Sequence, residues 1–316
     1  MAKSIRVIPI ECKFGPISAF AYYVDAPEPA LIDTGVNVSA RKDIERTLAE
    51  NDIRIEDIRW ILLTHGHVDH LGGAYAVWEK TGRRAKVVIP KKEARLLRDK
   101  NEQIVDYKAL QGKYITNPAI QEKHITMLTT DISGTIEPDL VVVEGDSIYL
   151  GGEIRLKVIE TPGHSIGSVT FILDELNWAF AADAVQMYGG FSGLPTIENP
   201  ALYRKSVQRL LEEVRPNRLF LGHPFRNING DMQSAQIEGE QVATVLQASL
   251  DMDAKLSDVA RCHIENGLPA EQHELYGSFG WIAAEIGYTG DPRNLPCAFF
   301  VTMNGYHEEV IGSQIK

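Results

Sequence analysis

Cysteine is scarce in this chain. Only Cys12, Cys262 and Cys297 occur in 316 residues, no two of them close together. This excludes a disulfide-stapled scaffold or a paired-cysteine metal knuckle and predicts three reduced thiols. Basic runs are missing too: nowhere do five or more Lys/Arg follow one another, and 32 basic against 43 acidic residues give a net charge of -11. Such a chain repels a polyanion at long range, so nucleic acid is not an expected partner. No segment approaches the ~20 apolar residues of a membrane span, and the opening MAKSIRVIPIECKFG lacks the apolar stretch of about 7–15 residues that marks a secretion signal. A cytoplasmic protein without membrane attachment is expected. Internal repeats and low-complexity tracts are also absent. What remains is an ordinary globular mixture, 44% hydrophobic and 24% charged, ample for a core. The length suits one large domain or a domain with an appendage.

Short runs rich in β-branched residues at positions 5–10, 19–24 and 30–32, separated by Gly15-Pro16 and Pro27-Glu28-Pro29, predict adjacent strands. Ile44 and Leu48 at helical spacing predict a surface helix over 40–51, with Ser39 as its candidate N-cap. A buried strand at 60–63 breaks at a polar cluster, followed by a helix through 75–80 and a strand at 85–89. Residues 91–140 differ in character: Lys, Arg, Glu and Gln dominate, and Gly112, Asn117-Pro118 and Gly134 interrupt the periodicity. They read as an inserted, partly helical excursion over one end of the sheet, facing substrate. Strands return at 139–143, 147–150, 154–159, 168–173 and 178–181; a helix over 201–214 then leads to a last strand at 218–221. From Gly230 on the strand pattern stops, and Ile237, Val242, Leu246 and Leu250 predict helix within 231–266, before an aromatic-rich tail that includes 295–303. This shift predicts a main domain at 1–230 and a helical extension at 231–316 packed on the same core.

The stretch THGHVDH, residues 64–70, places three histidines and an aspartate directly after a buried strand. Imidazole and carboxylate suit a borderline ion such as zinc, and a sharp loop at a strand end converges alternate side chains on one point. One cluster alone would make a single site, so recurrence of ligand types at later strand ends matters. His164 in TPGHSIGS, Asp183 in FAAD and His223 in LFLGH each follow a predicted strand. Singly, such a histidine is a turn residue and such an aspartate a helix cap; their joint occurrence in this order points to one metal site.

THGHVDH with TPGHSIGS, Asp183 and His223 resembles the metallo-β-lactamase superfamily over roughly residues 5–225, in the dinuclear branch, lactonase- and glyoxalase-II-like, that has an Asp-His pair rather than cysteine at the second metal. The resemblance implies an α/β fold, an αβ/βα sandwich of two mixed β-sheets flanked by helices, here with a mainly helical C-terminal extension. Carried onto this sequence, it implies two divalent metal ions, zinc by default, with manganese, cobalt or iron able to use the same ligands. His65, His67 and His164 would hold the first and Asp69, His70 and His223 the second, with Asp183 bridging. Asp33 in LIDTG would support the ligand loop through hydrogen bonds. Two departures alter backbone freedom beside the metals: alanine precedes Asp183, and Pro224 follows His223, where many relatives have glycine.

Two ions ~3.5–4 Å apart would bring a shared water to near-neutral pKa and polarise a scissile carbonyl or phosphoryl oxygen. No serine nucleophile is needed, so Ser165 and Ser168 read as turn residues, and Asp69 is the expected proton shuttle. Tyr188, shortly after Asp183, is the candidate donor to a developing oxyanion, as the resemblance to lactonases implies, although its offset is not the usual one. Gly189-Gly190-Phe191-Ser192-Gly193 reads as a mobile loop at the mouth of the site, with Phe191 against substrate. His124, His263, His273 and His307 read as surface or capping residues. The expected function is hydrolysis of a small-molecule ester-like bond, with lactone ahead of thioester because of Tyr188. A glutathione thioesterase should carry basic residues near its C-terminus, where Arg261 and Arg293 are the only arginines beyond residue 230. The alternatives are a nuclease, which the negative charge disfavours, an iron-dependent redox enzyme, and a non-catalytic binding protein, which would be expected to lose ligands. A small molecule is the expected partner, with a homodimer through the tail.

Overall fold

The computed structural model describes residues 5–191, 193–265, 275–294 and 297–314, so His273 and Ser192 lie outside the described residues. Strands β1 (Arg6–Phe14) and β2 (Ile17–Asp25) form a hairpin across Gly15-Pro16, and β3 (Ala30–Ile32) continues the sheet antiparallel. Next, β4 (Trp60–Leu62), β5 (Lys86–Pro90) and β6 (Leu140–Val142) add in parallel, in sequence order. Parallel pairs need crossovers, and helices supply them. Between β3 and β4 runs α1, which begins with π spacing at Ala40–Glu45 and continues as Arg46–Ala49. Between β4 and β5 lie α2 (Val68–Leu71) and α3 (Ala74–Lys80). The excursion before β6 holds α4 (Ala94–Arg98), α5 (Glu102–Ala109) and α6 (Pro118–Thr130).

The second sheet has the order β12-β11-β10-β9-β8-β7. Its strands are β7 (Ser147–Tyr149), β8 (Arg155–Glu160), β9 (Val169–Leu173), β10 (Trp178–Ala182), β11 (Arg218–Leu221) and β12 (Gln236–Glu238). Its one parallel pair, β10 with β11, is bridged by α7 (Pro200–Arg209), which continues with π spacing as Leu210–Val214. Helices α8 (Glu240–Glu265), α9 (Gly280–Ile286) and α10 (Phe299–Gln314) follow. Among the described residues no helix is long and apolar enough to cross a membrane.

Side-chain alternation explains the layers. In β2, Tyr22 and Val24 face the core between the sheets, while Ala21 and Tyr23 face the helices outside the first sheet. In β10, Phe180 faces inward and Ala179 and Ala181 face the outer helices. Both faces are covered, which is why these strands read as nearly continuous apolar runs. Phe180 and Phe220 stack at 4.3 Å between centroids, with the Tyr22 ring edge-on to both. The Tyr22 hydroxyl crosses from the first sheet to the second and donates at the Leu221 and Ala235 carbonyls.

Four expectations change. The strand pattern does not stop at Gly230: that residue turns the chain toward β12, which pairs antiparallel with β11, and the tail shares one core with the second sheet. Asn117-Pro118 does not break a helix but starts one, the Asn117 side chain accepting from the Ala119 N–H at 3.0 Å with proline in the first turn. Ser39 does not cap α1; its hydroxyl accepts from the Val36 N–H at 3.2 Å. His124 and His263 are buried rather than exposed, the first between Tyr107 and the Arg293 carbonyl, the second stacked on Trp281.

Tyr22→Phe removes the sheet-to-sheet hydroxyl and takes the donor from the buried Leu221 carbonyl, whereas the Ala235 carbonyl keeps the Leu221 N–H, so it should lower stability by about 1–3 kcal/mol. A lower urea midpoint with an unchanged m-value in equilibrium unfolding is the expected reading; an unchanged midpoint would contradict it.

Candidate metal centre

The ligand-type residues all sit just past strand ends, at the edge where the two sheets meet. After β4 the chain turns through Thr64 and His65, and His67 serves as the extended N-cap position of α2, whose single turn carries Asp69 and His70. Asp33, just past β3, holds this loop. It sits at a positive φ of 56° and is buried, and its carboxylate accepts from the Thr64 N–H at 2.8 Å, the Thr64 hydroxyl at 2.7 Å and the His70 Nδ1–H at 2.9 Å. With its hydrogen given to Asp33, the Thr64 hydroxyl oxygen accepts from His65 Nδ1–H at 3.0 Å.

His164 follows β8, and its Nδ1–H donates to the Thr196 carbonyl at 2.9 Å. Gln186 grips the same residue, accepting from the Thr196 N–H at 2.8 Å and donating to its carbonyl at 2.7 Å. Asp183 follows β10. His223 follows β11 and donates through Nδ1–H to the Ser18 carbonyl of β2 at 2.8 Å, crossing between sheets. Two glycines let the backbone close in: a Cβ at Gly163 would lie 2.3 Å from the Tyr203 backbone, and one at Gly222 would lie 1.8 Å from Asp183 Oδ1.

Those bonds fix four imidazoles with the proton on Nδ1 and the Nε2 lone pair facing inward. Inside, His164 Nε2 lies 3.2 Å from His65 Nε2 and 2.8 Å from His67 Nδ1, and His70 Nε2 lies 3.2 Å from His223 Nε2. Asp183 reaches both groups, with Oδ2 3.4 Å from His164 Nε2 and 3.3 Å from His223 Nε2, and Oδ1 3.6 Å from His70 Nε2. Asp69 Oδ2 is 3.4 Å from His223 Nε2. The ligand atoms form three overlapping sets, His65/His67/His164, His65/His70/Asp183 and Asp69/His70/His223, each within 4.8 Å.

Acceptor lone pairs facing one another at such distances repel, and Asp183 Oδ1 is buried with no hydrogen-bond partner. A cation resolves both, and imidazole with carboxylate is the donor set of a borderline divalent ion. The charges agree. Burial lowers the His70 pKa, but Asp183, Asp33 and Asp69 overcome it and push it up to about 10, so without an ion a proton on Nε2 stands where a cation would sit. Burial followed by neighbouring imidazoles holds His65 well below the usual histidine range; at His164 burial prevails over Asp183 and brings it down to about 3. Burial raises the Asp183 carboxyl, yet His223, His164 and His70 together hold it well below its ordinary value.

The sequence-predicted Asp33, His65, His67, Asp69, His70, His164, Asp183 and His223 thus come together, whereas Tyr188 does not. Met187 and Gly189 both take positive φ, and Tyr188 packs half-buried against the core of the second half of the chain rather than lining the cavity beside the histidines. Ser165 donates to Glu93 Oε1 at 2.8 Å and lies 2.7 Å from the Ser168 hydroxyl. Glu93 was not singled out in the sequence. Buried behind both ligand loops, its Oε1 also accepts from the Gly167 N–H at 2.8 Å, and its Oε2 would lie 2.6 Å from a Cβ at Gly66. Its setting in KKEARLLRDK resembles a solvated helix face and carries no signal for this role.

A cavity of about 250 Å3 opens over the centre. Its walls are largely apolar, with Ile17, Leu128, Leu194, Phe225 and Val301 among them and Phe191, 58% exposed, at the mouth; among the described residues neither lysine nor arginine lines it.

A histidine-carboxylate centre at the meeting edge of an αβ/βα sandwich defines a metallo-hydrolase class of site. The chain belongs to the metallo-β-lactamase superfamily, whose sequence model matches residues 14–223. It is similar to a hydroxyacylglutathione hydrolase of Rhodopseudomonas palustris strain HaA2, 26% identical over 92% of this chain and 94% of the relative, and to that of strain BisB5, 26% identical over 72% and 69%. It also resembles a beta-lactamase hydrolase-like protein of Xylella fastidiosa strain Temecula1, 24% identical, of which it spans only 44%. In fold, it matches a metallo-beta-lactamase family protein from Thermus thermophilus with a TM-score of 0.69 at 20% identity, over 98% of this chain and 93% of that one. A beta-lactamase domain protein from Burkholderia ambifaria matches at 0.67 and 13% identity, over 99% and 88%.

Asp33→Ala should loosen the ligand loop and weaken metal binding about 10–100-fold, read by competition with a chromophoric chelator; unchanged affinity would refute its supporting role. Gly222→Ala drives a methyl group into Asp183 Oδ1, and metal content after purification and dialysis should fall. Full retention of metal would mean that Asp183 is not needed to hold it.

Proposed function

We propose that the protein is a metal-dependent hydrolase that cleaves a thioester or closely related ester bond in a small substrate with an apolar acyl portion. The observation that carries this reading is the apolar cavity, lined by no lysine or arginine among the described residues, directly over the histidine-carboxylate centre. His65, His67 and His164 would hold one divalent ion and Asp69, His70 and His223 a second, zinc by donor set, with Asp183 within reach of both groups. Ions held there supply an activated water and Lewis acidity toward the scissile carbonyl. Asp69, its side chain 13% exposed, takes the proton of the attacking water and delivers it to the departing sulfur or oxygen. Asp33, Thr196 and Ser18 keep the imidazoles aligned.

Thioester moves ahead of lactone because the oxyanion tyrosine that favoured lactone lies off the cavity, and relatives named hydroxyacylglutathione hydrolase favour a thioester bond. Glutathione itself fits less well: its two carboxylates would meet no cation on the cavity wall.

Elemental analysis paired with a screen of thioesters, lactones and phosphodiesters tests the proposal. About two equivalents of zinc or a similar ion, and thioesterase activity lost to chelators and restored by metal, are expected. One iron per chain and no hydrolysis would sink it and bring the redox reading forward. Asp69→Asn, assayed with saturating metal because the same carboxylate stands among the residues that would hold the second ion, should lower kcat by about 100-fold or more, and a near-normal kcat would exclude the carboxylate as proton carrier.

A further inference from the structure

A second cavity, of about 240 Å3, adjoins the first, and His67, Gln103, Gln111, Leu128 and Val301 line both. The two therefore meet beside the metal centre, where a scissile bond has one substituent on each side. Their chemistry differs sharply. The second cavity is bordered by three carboxylates, Glu93, Asp106 and Glu198, against one cation, Arg95. That guanidinium is already engaged, by Glu102 at 2.6 Å and by both oxygens of Asp106 at 2.7 and 2.6 Å.

The shared wall adds two acceptors. Gln103 and Gln111 are only 6% and 5% exposed. Each spends its amide nitrogen on a backbone carbonyl, Gly66 at 2.6 Å and Pro292 at 3.3 Å, while neither amide oxygen receives a hydrogen bond from any described residue. Amide oxygens that take no donor from the described residues and border a cavity are free to accept one from a ligand there in place of water. Burial, then Glu93 and Asp106, push the Glu198 carboxyl up to about 7, and a cation placed beside it would favour its ionised form. The Tyr107 ring borders the same space and adds a face on which an alkylammonium can rest.

We propose that this second cavity is the leaving-group subsite and that it selects a thiol or alcohol carrying a protonated amine, held by Glu198, Asp106 and the Gln103 and Gln111 amide oxygens. The inference rests on the hydrolase reading above for its catalytic consequence, but binding of the ammonium group does not depend on turnover. It places the acyl portion in the apolar cavity and the amine on the other side of His67. A carboxylate-bearing leaving group is disfavoured by the same charges.

The test uses the zinc-loaded protein and three butyryl thioesters that differ only in the leaving thiol: dimethylaminoethanethiol, protonated at neutral pH and unable to capture the acyl group; its uncharged carbon isostere isopentanethiol; and anionic mercaptopropionate. The amine ester should exceed the isostere in kcat/KM by about tenfold, mainly through KM, with the anionic ester slowest. Glu198→Gln and Gln111→Leu should each pull the amine-to-isostere ratio toward one, whereas equal kcat/KM for the amine and neutral esters overturns the proposal. Titration with n-butylammonium chloride followed by calorimetry separates the two ideas. Saturable binding that weakens in Glu198→Gln supports the subsite even if no thioester is cleaved; no binding in a protein that does cleave thioesters overturns the subsite and leaves the hydrolase standing.

Discussion

Four hydrogen bonds on the far sides of four imidazoles hold the site in the only arrangement that makes sense with a cation inside. His65, His70, His164 and His223 give their Nδ1 protons to Thr64, Asp33, Thr196 and Ser18, and their Nε2 lone pairs converge on Asp69 and Asp183. In a poorly polarisable interior, lone pairs 3.2 Å apart cost free energy. A proton on His70 relieves part of that cost and a bound metal ion would relieve the rest, so in the hydrolase reading metal binding would add to folding stability.

The anchors come from distant parts of the chain, which makes the centre a product of sheet packing. Ser18 lies on β2 of the first sheet yet orients His223 beyond β11 of the second. A slip of either sheet would move a ligand. The Phe180-Phe220 stack and the Tyr22 hydroxyl, bonded to Leu221 two residues before His223, lie where such a slip would be resisted. Gly163 and Gly222 then permit approach distances that any side chain would forbid.

The clustering of histidines and aspartates was legible because its chemistry is carried by residue type and short spacing at strand ends, and the strands were legible because both faces are buried. Residues whose role depends on distant partners left no such trace. Glu93 meets Ser165 and Gly167 more than seventy residues away, and His124 is buried by the Arg293 carbonyl, 169 positions on. Three-residue β12 is too short to show alternation against the helix that follows it. Tyr188 misled because distance in sequence from Asp183 says little once Met187 and Gly189 both turn through positive φ.

Catalytic and selective elements are separated in the chain. The metal cage stands on the two sheets, whereas Gln103, Gln111 and Leu128 from the excursion and Ala298 and Val301 from the tail supply walls of the cavities around it. Those two segments are tied to each other: Gln111 donates to the Pro292 carbonyl, His124 contacts that of Arg293, and Tyr114 donates to Asn304 at 2.6 Å while stacking on Phe300. A substitution in this roof can therefore alter which substrate enters without touching a ligand. Gln103 is the exception among these wall residues, because it bonds directly to the Gly66 carbonyl of the ligand loop. That bond sits between His65 and His67, so Gln103 ties the cavity wall directly to the histidine loop, and in the proposed reading a change there would touch both substrate selection and metal geometry.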